Sequence, residues 1–253
     1  MRIIAISNNK GGSGKTTTTV SLAAAFAERG LRVLVIDLDP QGSATEWLGS
    51  RESSVGLVEL STKGIQLAKL VVTTTAPGVD LIPTSPSLVP PDEEGGTRTG
   101  MAIVRAFARL PDYWDLVLVD TPPTVGYLSL APLVAADRVV IPVEAHALGL
   151  PGAASVMASI ERARKQVNPR LELLGIVACR VNATSHTREV VARLRTHFGS
   201  AVLEHSVREA IRMAEAPALR QPITQYAPKS GVAEDHRAVA AELLVRLGDL
   251  SSS

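Results

Sequence analysis

The stretch KGGSGKTT at residues 10–17 says most about the architecture of this chain. Its glycines let consecutive backbone N–H groups curl around phosphate oxygens, and a helix beginning directly after it adds positive potential. Lys15 is placed to reach the β- and γ-phosphates of a nucleotide, and Thr16 to ligate Mg²⁺. The alternative is a plain glycine-rich turn between a strand and a helix, which requires neither the lysine nor the threonines. The predicted nucleotide contacts in this stretch are Lys10, Gly11, Gly12, Ser13, Gly14, Lys15, Thr16 and Thr17.

Apolar runs and helical patterns alternate along the rest of the chain. Most of the apolar runs lack polar alternation, which is typical of parallel strands covered on both faces. The stretches between them have helical spacing and suit right-handed crossover connections. We therefore expect an α/β fold with a doubly wound, mainly parallel sheet and helices on both faces. The predicted strands are Ile3–Ile6, Val33–Ile36, Val79–Ile82, Leu116–Val119, Val139–Val143 and Leu173–Ala178, and the predicted helices include Thr17–Arg29, Ala102–Leu110, Pro151–Gln166 and Thr187–Phe198.

The length of the chain bounds its organisation. With 253 residues, of which 45% are hydrophobic, the chain can bury a substantial core. We expect residues 1–250 to form a single domain and residues 251–253 to be a disordered tail. Residues 83–100 are rich in proline and glycine around an acidic run, which predicts a loop or mobile segment.

Charge and cysteine content exclude several classes of protein. Lys plus Arg is 26 and Asp plus Glu is 25, so the chain is not basic overall, although a local basic patch is possible. Cys179 is the only cysteine, which excludes an internal disulfide and a multi-cysteine metal site. The longest stretch without charge, residues 121–136, is short and interrupted by prolines, so we expect no transmembrane helix and a cytoplasmic location.

Carboxylates follow two of the predicted strands. Asp37 and Asp39 come directly after the strand at 33–36, and Asp120 follows the strand at 116–119. The carboxyl ends of parallel strands are where α/β sheets gather ligand chemistry. Asp120 has the position of a Walker B aspartate, so we assign it to the magnesium shell. For Asp37 and Asp39, a helix cap or an Asp-Pro turn is the alternative.

The phosphate loop departs from the strict Gly-x-x-x-x-Gly-Lys-[Ser/Thr] pattern, because Asn9 stands where the first glycine belongs. With Lys10 ahead of the glycines, it resembles the deviant Walker A motif of ParA, MinD and nitrogenase iron-protein relatives. The resemblance to ParA continues at residues 37–43, 135–143 and 208–217. It is closest to the short partition type, which lacks an N-terminal helix-turn-helix region.

This resemblance implies an Mg²⁺-dependent ATPase that forms an ATP-sandwich homodimer. It implies that Lys10 reaches across the dimer to the partner's nucleotide, although a solvated loop lysine is the alternative. Lys10, Lys15 and Asp39 are the implied catalytic residues, with Asp39 orienting the attacking water. Thr16, Asp37 and Asp120 are the implied metal-site residues, since Asp37 lies near the magnesium in that family. Intrinsic turnover is expected to be weak and to be stimulated by a partner and DNA.

The resemblance also implies DNA binding without sequence preference through basic residues in the C-terminal part. The candidates are Arg208, Arg212, Arg220, Lys229 and Arg237, with His205 and His236 as possible helpers. Acidic residues interleave with them, so an ordinary solvated face is the alternative. Asn182 and Pro217 occupy places that resemble adenine contacts, although an asparagine there also stabilises turns.

The implied partner is a ParB-like centromere-binding protein, and the implied function is segregation of a plasmid or chromosome at the nucleoid. One alternative is a ParA-like ATPase that positions a protein cargo, such as a chemosensory cluster or a microcompartment. Another is a MinD-like membrane-associated ATPase. The last predicted helix mixes acidic and basic residues on its polar side, which favours packing against the sheet over membrane docking, so no membrane partner is expected.

Overall fold

The computed structural model describes residues 1–50, 53–89, 93–124, 126–145 and 149–249, so the predicted tail at 251–253 lies outside the described residues. Seven strands form one sheet in the order β3-β4-β2-β5-β1-β6-β7. Neighbouring strands are parallel except for β3 and β4. The strands are β1 Arg2–Ile6, β2 Val33–Asp37, β3 Val72–Thr73, β4 Val79–Ile82, β5 Leu116–Asp120, β6 Arg138–Glu144 and β7 Glu172–Cys179.

Helices connect the strands and cover both faces of the sheet. They are α1 Lys15–Ala27, α2 Ser43–Trp47, α3 Leu57–Thr62, α4 Glu93–Phe107, α5 Tyr127–Ala135, α6 Gly149–Gln166, α7 Ser185–Phe198, α8 Arg212–Glu215, α9 Ile223–Tyr226 and α10 Gly231–Asp249. Short 3-10 turns lie at Leu67–Lys69, Pro86–Leu88, Gly199–Ala201 and Ala216–Leu219. The prediction of a doubly wound, mainly parallel α/β fold is confirmed.

The six predicted strands are present, each within a residue or two of its predicted bounds. Every residue of β2, β5 and β6 is buried, which explains why these strands show no polar alternation. Strand β3 was not predicted, because two residues are too few to show a hydrophobic period.

The prediction of a loop over residues 83–100 is wrong for its second half, since α4 begins at Glu93. Two of the glycines that suggested a loop, Gly96 and Gly100, lie in α4 where it packs against α5. A Cβ atom on Gly96 would stand 2.8 Å from the Tyr127 ring, and one on Gly100 would stand 3.2 Å from the Tyr127 Cβ. Close packing of α4 on α5 therefore accounts for the glycines, and this tertiary contact overrides their low helix propensity.

Two hydrophobic cores lie against the sheet. One includes Ile103 of α4 and Val156 of α6. The other includes Phe26 of α1 and Leu243 of α10. The last helix therefore packs its apolar side on α1 and β7, as predicted. Within the described ranges, no helix combines the length and the apolar character that crossing a membrane requires.

The parallel register brings the predicted carboxylates to one edge of the sheet. Asp120 of β5 is paired in register with Ile6 on one side and with Asp37 on the other. The loop that follows Ile6 is the predicted phosphate loop. It leaves the sheet between β5 and β6, where the strand order reverses and α/β sheets form their ligand crevice.

Candidate nucleotide site

The loop between β1 and α1 has the backbone form of a phosphate cradle. Gly12 and Gly14 have φ angles of 71° and 90°, which favour glycine. Gly14 caps α1 without any side-chain hydrogen bond, so the first N–H groups of the helix are left to a ligand. The Ser13 hydroxyl oxygen is buried and has no hydrogen-bond partner within the described part of the chain. The loop therefore offers unpaired donors to an anion.

Lys15 lies inside this site. Its side chain is nearly buried, and its Nζ donates to the Lys10 carbonyl oxygen at 3.1 Å. Burial lowers the pKa of Lys15, while the nearby Asp120 and Asp39 carboxylates oppose that effect. The ammonium group is therefore held at the loop by its own backbone, close to two negative charges.

Asp120 is buried beneath the loop. Its carboxylate accepts hydrogen bonds from the hydroxyls of Thr16, at 2.7 Å, and Thr19, at 3.2 Å. Burial, and then repulsion by Asp37, raises the pKa of Asp120 to about 8. The Thr16 hydroxyl and the Asp120 carboxylate thus lie together, as the metal prediction requires.

Hydrogen bonds from Thr45 and from the Asp39 backbone hold the carboxylate of Asp37 in place. Its carboxylate accepts from the backbone N–H and the hydroxyl of Thr45, at 2.8 and 2.7 Å, and from the Asp39 N–H at 3.1 Å. Burial raises the pKa of Asp37 to about 6 in spite of these hydrogen bonds. The side chain caps α2 while lying next to Asp120 in the sheet, so the capping role and the predicted place near the metal are compatible.

Asp39 borders the open side of the site. Its carboxylate accepts from the Gln41 N–H at 3.0 Å, and its backbone carbonyl accepts from the Thr84 hydroxyl at 2.9 Å. The main chain and neighbouring groups therefore fix the position of this residue, while its side chain lines the cavity beside the loop. That placement suits a group that orients a water molecule.

The donor set fits a hard divalent cation. Hydroxyl and carboxylate oxygens are the ligands that Mg²⁺ prefers, and Mg²⁺ takes only one or two carboxylates beside phosphates and water. Burial, followed by repulsion from neighbouring carboxylates, raises the pKa values of Asp37 and Asp120, so a bound cation would stabilise their ionised forms. Among the described residues no group of three His, Cys, Asp or Glu side chains has metal-binding geometry.

A cavity of about 670 Å³ opens beside the phosphate loop. Its lining includes residues 11–18, Asp39 and a wall formed by residues 207–211 and 213–214. Cys179 and Arg180, at the end of β7, complete one side. The cavity combines an apolar wall with a polar phosphate end, as small-molecule sites commonly do.

Lys10 turns away from this cavity. Its Nζ lies 3.5 Å from Glu144 Oε2, at the end of β6, and its side chain is not part of the cavity lining. The other Glu144 oxygen accepts from Arg180 Nη1 at 2.6 Å. Glu144 was not predicted from the sequence, although a charged residue directly after a buried strand, the signal used for Asp120, also marks it.

The two predicted adenine contacts lie outside the cavity lining. Asn182 Oδ1 accepts from the hydroxyls of Thr184 and Thr187, and Asn182 Nδ2 donates to Glu209 at 3.2 Å. These contacts organise the start of α7, as in the alternative of a turn-stabilising asparagine. Pro217 is half-buried in a 3-10 turn. A role for either residue in adenine recognition stays a prediction.

The structure divides the predicted DNA-contacting residues into two groups. Arg208 forms a bidentate pair with Asp235, at 2.6 and 2.8 Å, and Arg237 forms one with Glu28, at 2.6 and 3.1 Å. The others are exposed and have no ion pair within the described ranges; they are Arg212, Arg220 and Lys229. His205 pairs with Glu242 at the surface.

The suggestion that His236 helps to bind DNA is wrong, because this side chain is buried. Its Nδ1 hydrogen-bonds the Val232 carbonyl of its own helix at 2.8 Å. Burial lowers the pKa of His236. The buried, neutral imidazole is therefore not available at the surface to contact a DNA phosphate backbone.

The buried carboxylates predict an unusual pH dependence of stability. The folded-state pKa values of Asp37 and Asp120, about 6 and about 8, lie above their ordinary value of 3.8. The folded chain therefore keeps protons that the unfolded chain releases, so these groups make the free energy of unfolding fall as pH rises from about 4 to 8. We expect the thermal midpoint of nucleotide-free, chelator-treated Asp120→Asn to exceed that of the wild type at pH 8 by several degrees.

The amide can still accept from Thr16 and donate to Thr19, so this substitution isolates the charge. Thermal melts of both proteins at pH 5 and pH 8 provide the check. The Asp120→Asn advantage should shrink at pH 5, where the wild-type carboxylate is protonated. Midpoints that differ by the same amount at both pH values would contradict the account.

The chain is similar to known proteins over nearly its whole length. The family model described as "AAA domain" matches residues 1–173. The chromosome-partitioning ATPase Soj of Thermus thermophilus is 41% identical over 98% of this chain and 97% of its own length. The chromosome partitioning protein ParA of Caulobacter vibrioides is 33% identical over 98% of this chain and 96% of its own.

Solved structures share the fold. The cobyrinic acid a,c-diamide synthase of Mycobacterium smegmatis, with bound ADP and magnesium, has a TM-score of 0.82 and is 30% identical, covering 96% of this chain and 94% of that one. Apo McdA of Cyanothece has a TM-score of 0.84 at 23% identity, covering 96% and 99%, and shows the fold alone.

Proposed function

This chain belongs to the ParA/Soj family of P-loop ATPases, and from that premise we propose that it is an ATP-dependent DNA-partitioning dimer. In this proposal an ATP-sandwich homodimer binds double-stranded DNA without sequence preference and segregates a plasmid or chromosome with a ParB-like partner. The observation that carries the proposal is the opposite placement of two lysines on one loop. Lys15 lies inside the phosphate site, whereas Lys10 lies outside it.

The proposed chemistry is positioning and electrostatics without a covalent intermediate. Residues 11–17 hold the phosphates through backbone N–H groups and the Lys15 ammonium. The metal-site residues are Thr16, Asp37 and Asp120, and bound Mg²⁺ supplies the charge that neutralises the phosphates. Asp39 orients the attacking water, since its carboxylate borders the cavity while neighbouring groups fix its backbone.

Lys10 completes the site of the partner chain in this proposal. A second cation beside the γ-phosphoryl group stabilises the negative charge of the transition state, as an arginine finger does in other NTPases. Its side chain is partly exposed, so a second chain has access to it. Hydrolysis then depends on dimerisation.

The DNA surface is proposed to centre on the exposed cations Arg212, Arg220 and Lys229, which have no ion pair in the described part of the chain. A few phosphate contacts, doubled in a dimer, give weak and strongly salt-dependent binding without base readout. Arg208 and Arg237 contribute less, because carboxylates already neutralise them. Binding to DNA would place the protein at the nucleoid.

Loss of Lys10 tests the dimeric mechanism. We expect Lys10→Ala to keep the ATP affinity of the single chain within about threefold, because its side chain lies outside the cavity. Turnover should fall about 100-fold or more, as when a transition-state cation is removed. Phosphate release at increasing protein concentration is the measurement, and wild-type specific activity should rise with concentration.

The matched control is Lys63→Ala, which removes an exposed lysine elsewhere on the surface. It should behave as the wild type does. Specific activity that is independent of protein concentration, or a Lys10→Ala protein with wild-type turnover, would argue for a monomeric ATPase.

A further inference from the structure

The backbone of the phosphate loop fixes Lys10 next to the end of β6. The buried Asn8 side chain accepts from the Lys10 N–H at 3.0 Å and donates to the Pro142 carbonyl at 2.7 Å. Glu144 lies two residues beyond Pro142 on the same strand. These hydrogen bonds therefore hold the Lys10 backbone beside the end of β6, where the Lys10 side chain can reach Glu144.

Among the described residues, Glu144 forms ion pairs with Lys10 and with Arg180, at unequal distances. Its side chain is only 9% exposed, so it needs a positive partner. Arg180 is 2.6 Å away on one oxygen, whereas Lys10 is 3.5 Å away on the other. When Lys10 leaves, Arg180 still neutralises the carboxylate. Lys10 can therefore be released without leaving a buried charge unpaired.

Arg180 in turn is fixed from the cavity side. Its Nη2 donates to Glu209 at 3.2 Å, and the Glu209 N–H donates to the Val181 carbonyl at 2.9 Å. Arg180 has a φ of 56°, an uncommon conformation for a residue with a side chain. Both Arg180 and Glu209 line the nucleotide cavity. The carboxylate that holds Lys10 is thus tied to the wall that a nucleotide would touch.

We propose that Glu144 is a positioning residue that holds Lys10 against its own chain and thereby opposes the ATP-dependent dimer. The inference rests on the proposed function, in which Lys10 must reach the nucleotide of the partner. One ammonium group cannot pair with Glu144 and with the partner's phosphate at the same time. The ion pair in the single chain therefore weakens dimerisation until ATP on the partner outcompetes it.

The test is Glu144→Gln in an Asp39→Ala background, where slow turnover keeps ATP bound. Sedimentation with ATP gives the dimer dissociation constant, which we expect to fall about 3- to 10-fold. The control is Glu242→Gln, because Glu242 is a half-buried carboxylate that pairs with Arg246 and lies outside the site. It should leave the dissociation constant unchanged.

A second readout needs neither dimer nor nucleotide. Acetylation of the Lys10 amine by a water-soluble succinimidyl ester, followed by peptide mass spectrometry, should be severalfold faster in Glu144→Gln than in Glu242→Gln. This rate reports the ion pair in the single chain, so it stays informative even if Glu144→Gln lowers overall stability.

The two readouts separate this inference from the function it rests on. Unchanged or weaker dimerisation of Glu144→Gln, with a wild type that dimerises, would overturn the role of Glu144 alone. An unchanged acetylation rate would do the same. If the wild-type chain forms no dimer with ATP, the proposed function fails, and this role of Glu144 fails with it.

Discussion

Lys15→Ala is expected to weaken ATP binding about 100-fold and to abolish measurable turnover. The Lys15 ammonium lies in the loop within the electrostatic influence of Asp39 and Asp120, and its hydrogen-bond partner among the described residues is the Lys10 carbonyl oxygen. Phosphate oxygens would replace that carbonyl as its partner. Losing a charge-assisted contact to two phosphate groups lowers the ATP affinity about 100-fold.

Fluorescent-nucleotide titration measures this change directly. The variant should fold as well as the wild type, because removing a buried ammonium relieves a desolvation cost. Lys69→Ala, at an exposed lysine far from the loop, is the matched control. Equal ATP affinity in Lys15→Ala and the wild type would remove the phosphate-site assignment.

Asp39→Ala is expected to separate binding from hydrolysis. Turnover should fall about 100- to 1,000-fold, because the group that orients the water is lost. ATP binding should persist, since the phosphate contacts come from the loop. The turn should also persist, because the Thr84 hydroxyl and the Gly42 N–H are bound by the backbone carbonyl of residue 39 and not by its side chain.

The consequence is accumulation of the ATP-bound dimer. Phosphate-release kinetics and sedimentation with ATP measure the two effects on the same protein. Asp112→Ala, at an exposed aspartate, serves as the control and should hydrolyse normally. A monomeric Asp39→Ala protein in saturating ATP, or one with wild-type turnover, would refute the role given to Asp39.

Much of the fold was predictable because buried parallel strands leave a plain signal. Runs such as Leu116–Val119 are apolar throughout, and each ends at the ligand edge of the sheet. The meeting of Asp37 and Asp120 followed from that rule and the register bears it out. By contrast, the start of α4 at Glu93 depends on packing against Tyr127, which no local pattern contains.

Ion pairs between residues far apart in the chain could not be predicted from the sequence. The contact of Lys10 with Glu144 joins residues far apart in the chain, and it exists because β6 lies beside β1 in the sheet. Whether an arginine is free or neutralised also depends on such contacts, as Arg237 and Glu28 illustrate. The sequence shows that acidic residues lie near these arginines in the chain, but it does not show which cation each acidic residue pairs with.

The most direct test of the central claim is the binding of a random-sequence duplex by Asp39→Ala protein without nucleotide, with ADP and with ATP, at low and at raised salt. The account predicts binding with ATP alone, and an affinity that falls steeply as salt is raised. Absence of binding in every state, or equal binding in all three, would contradict an ATP-dependent DNA-partitioning dimer.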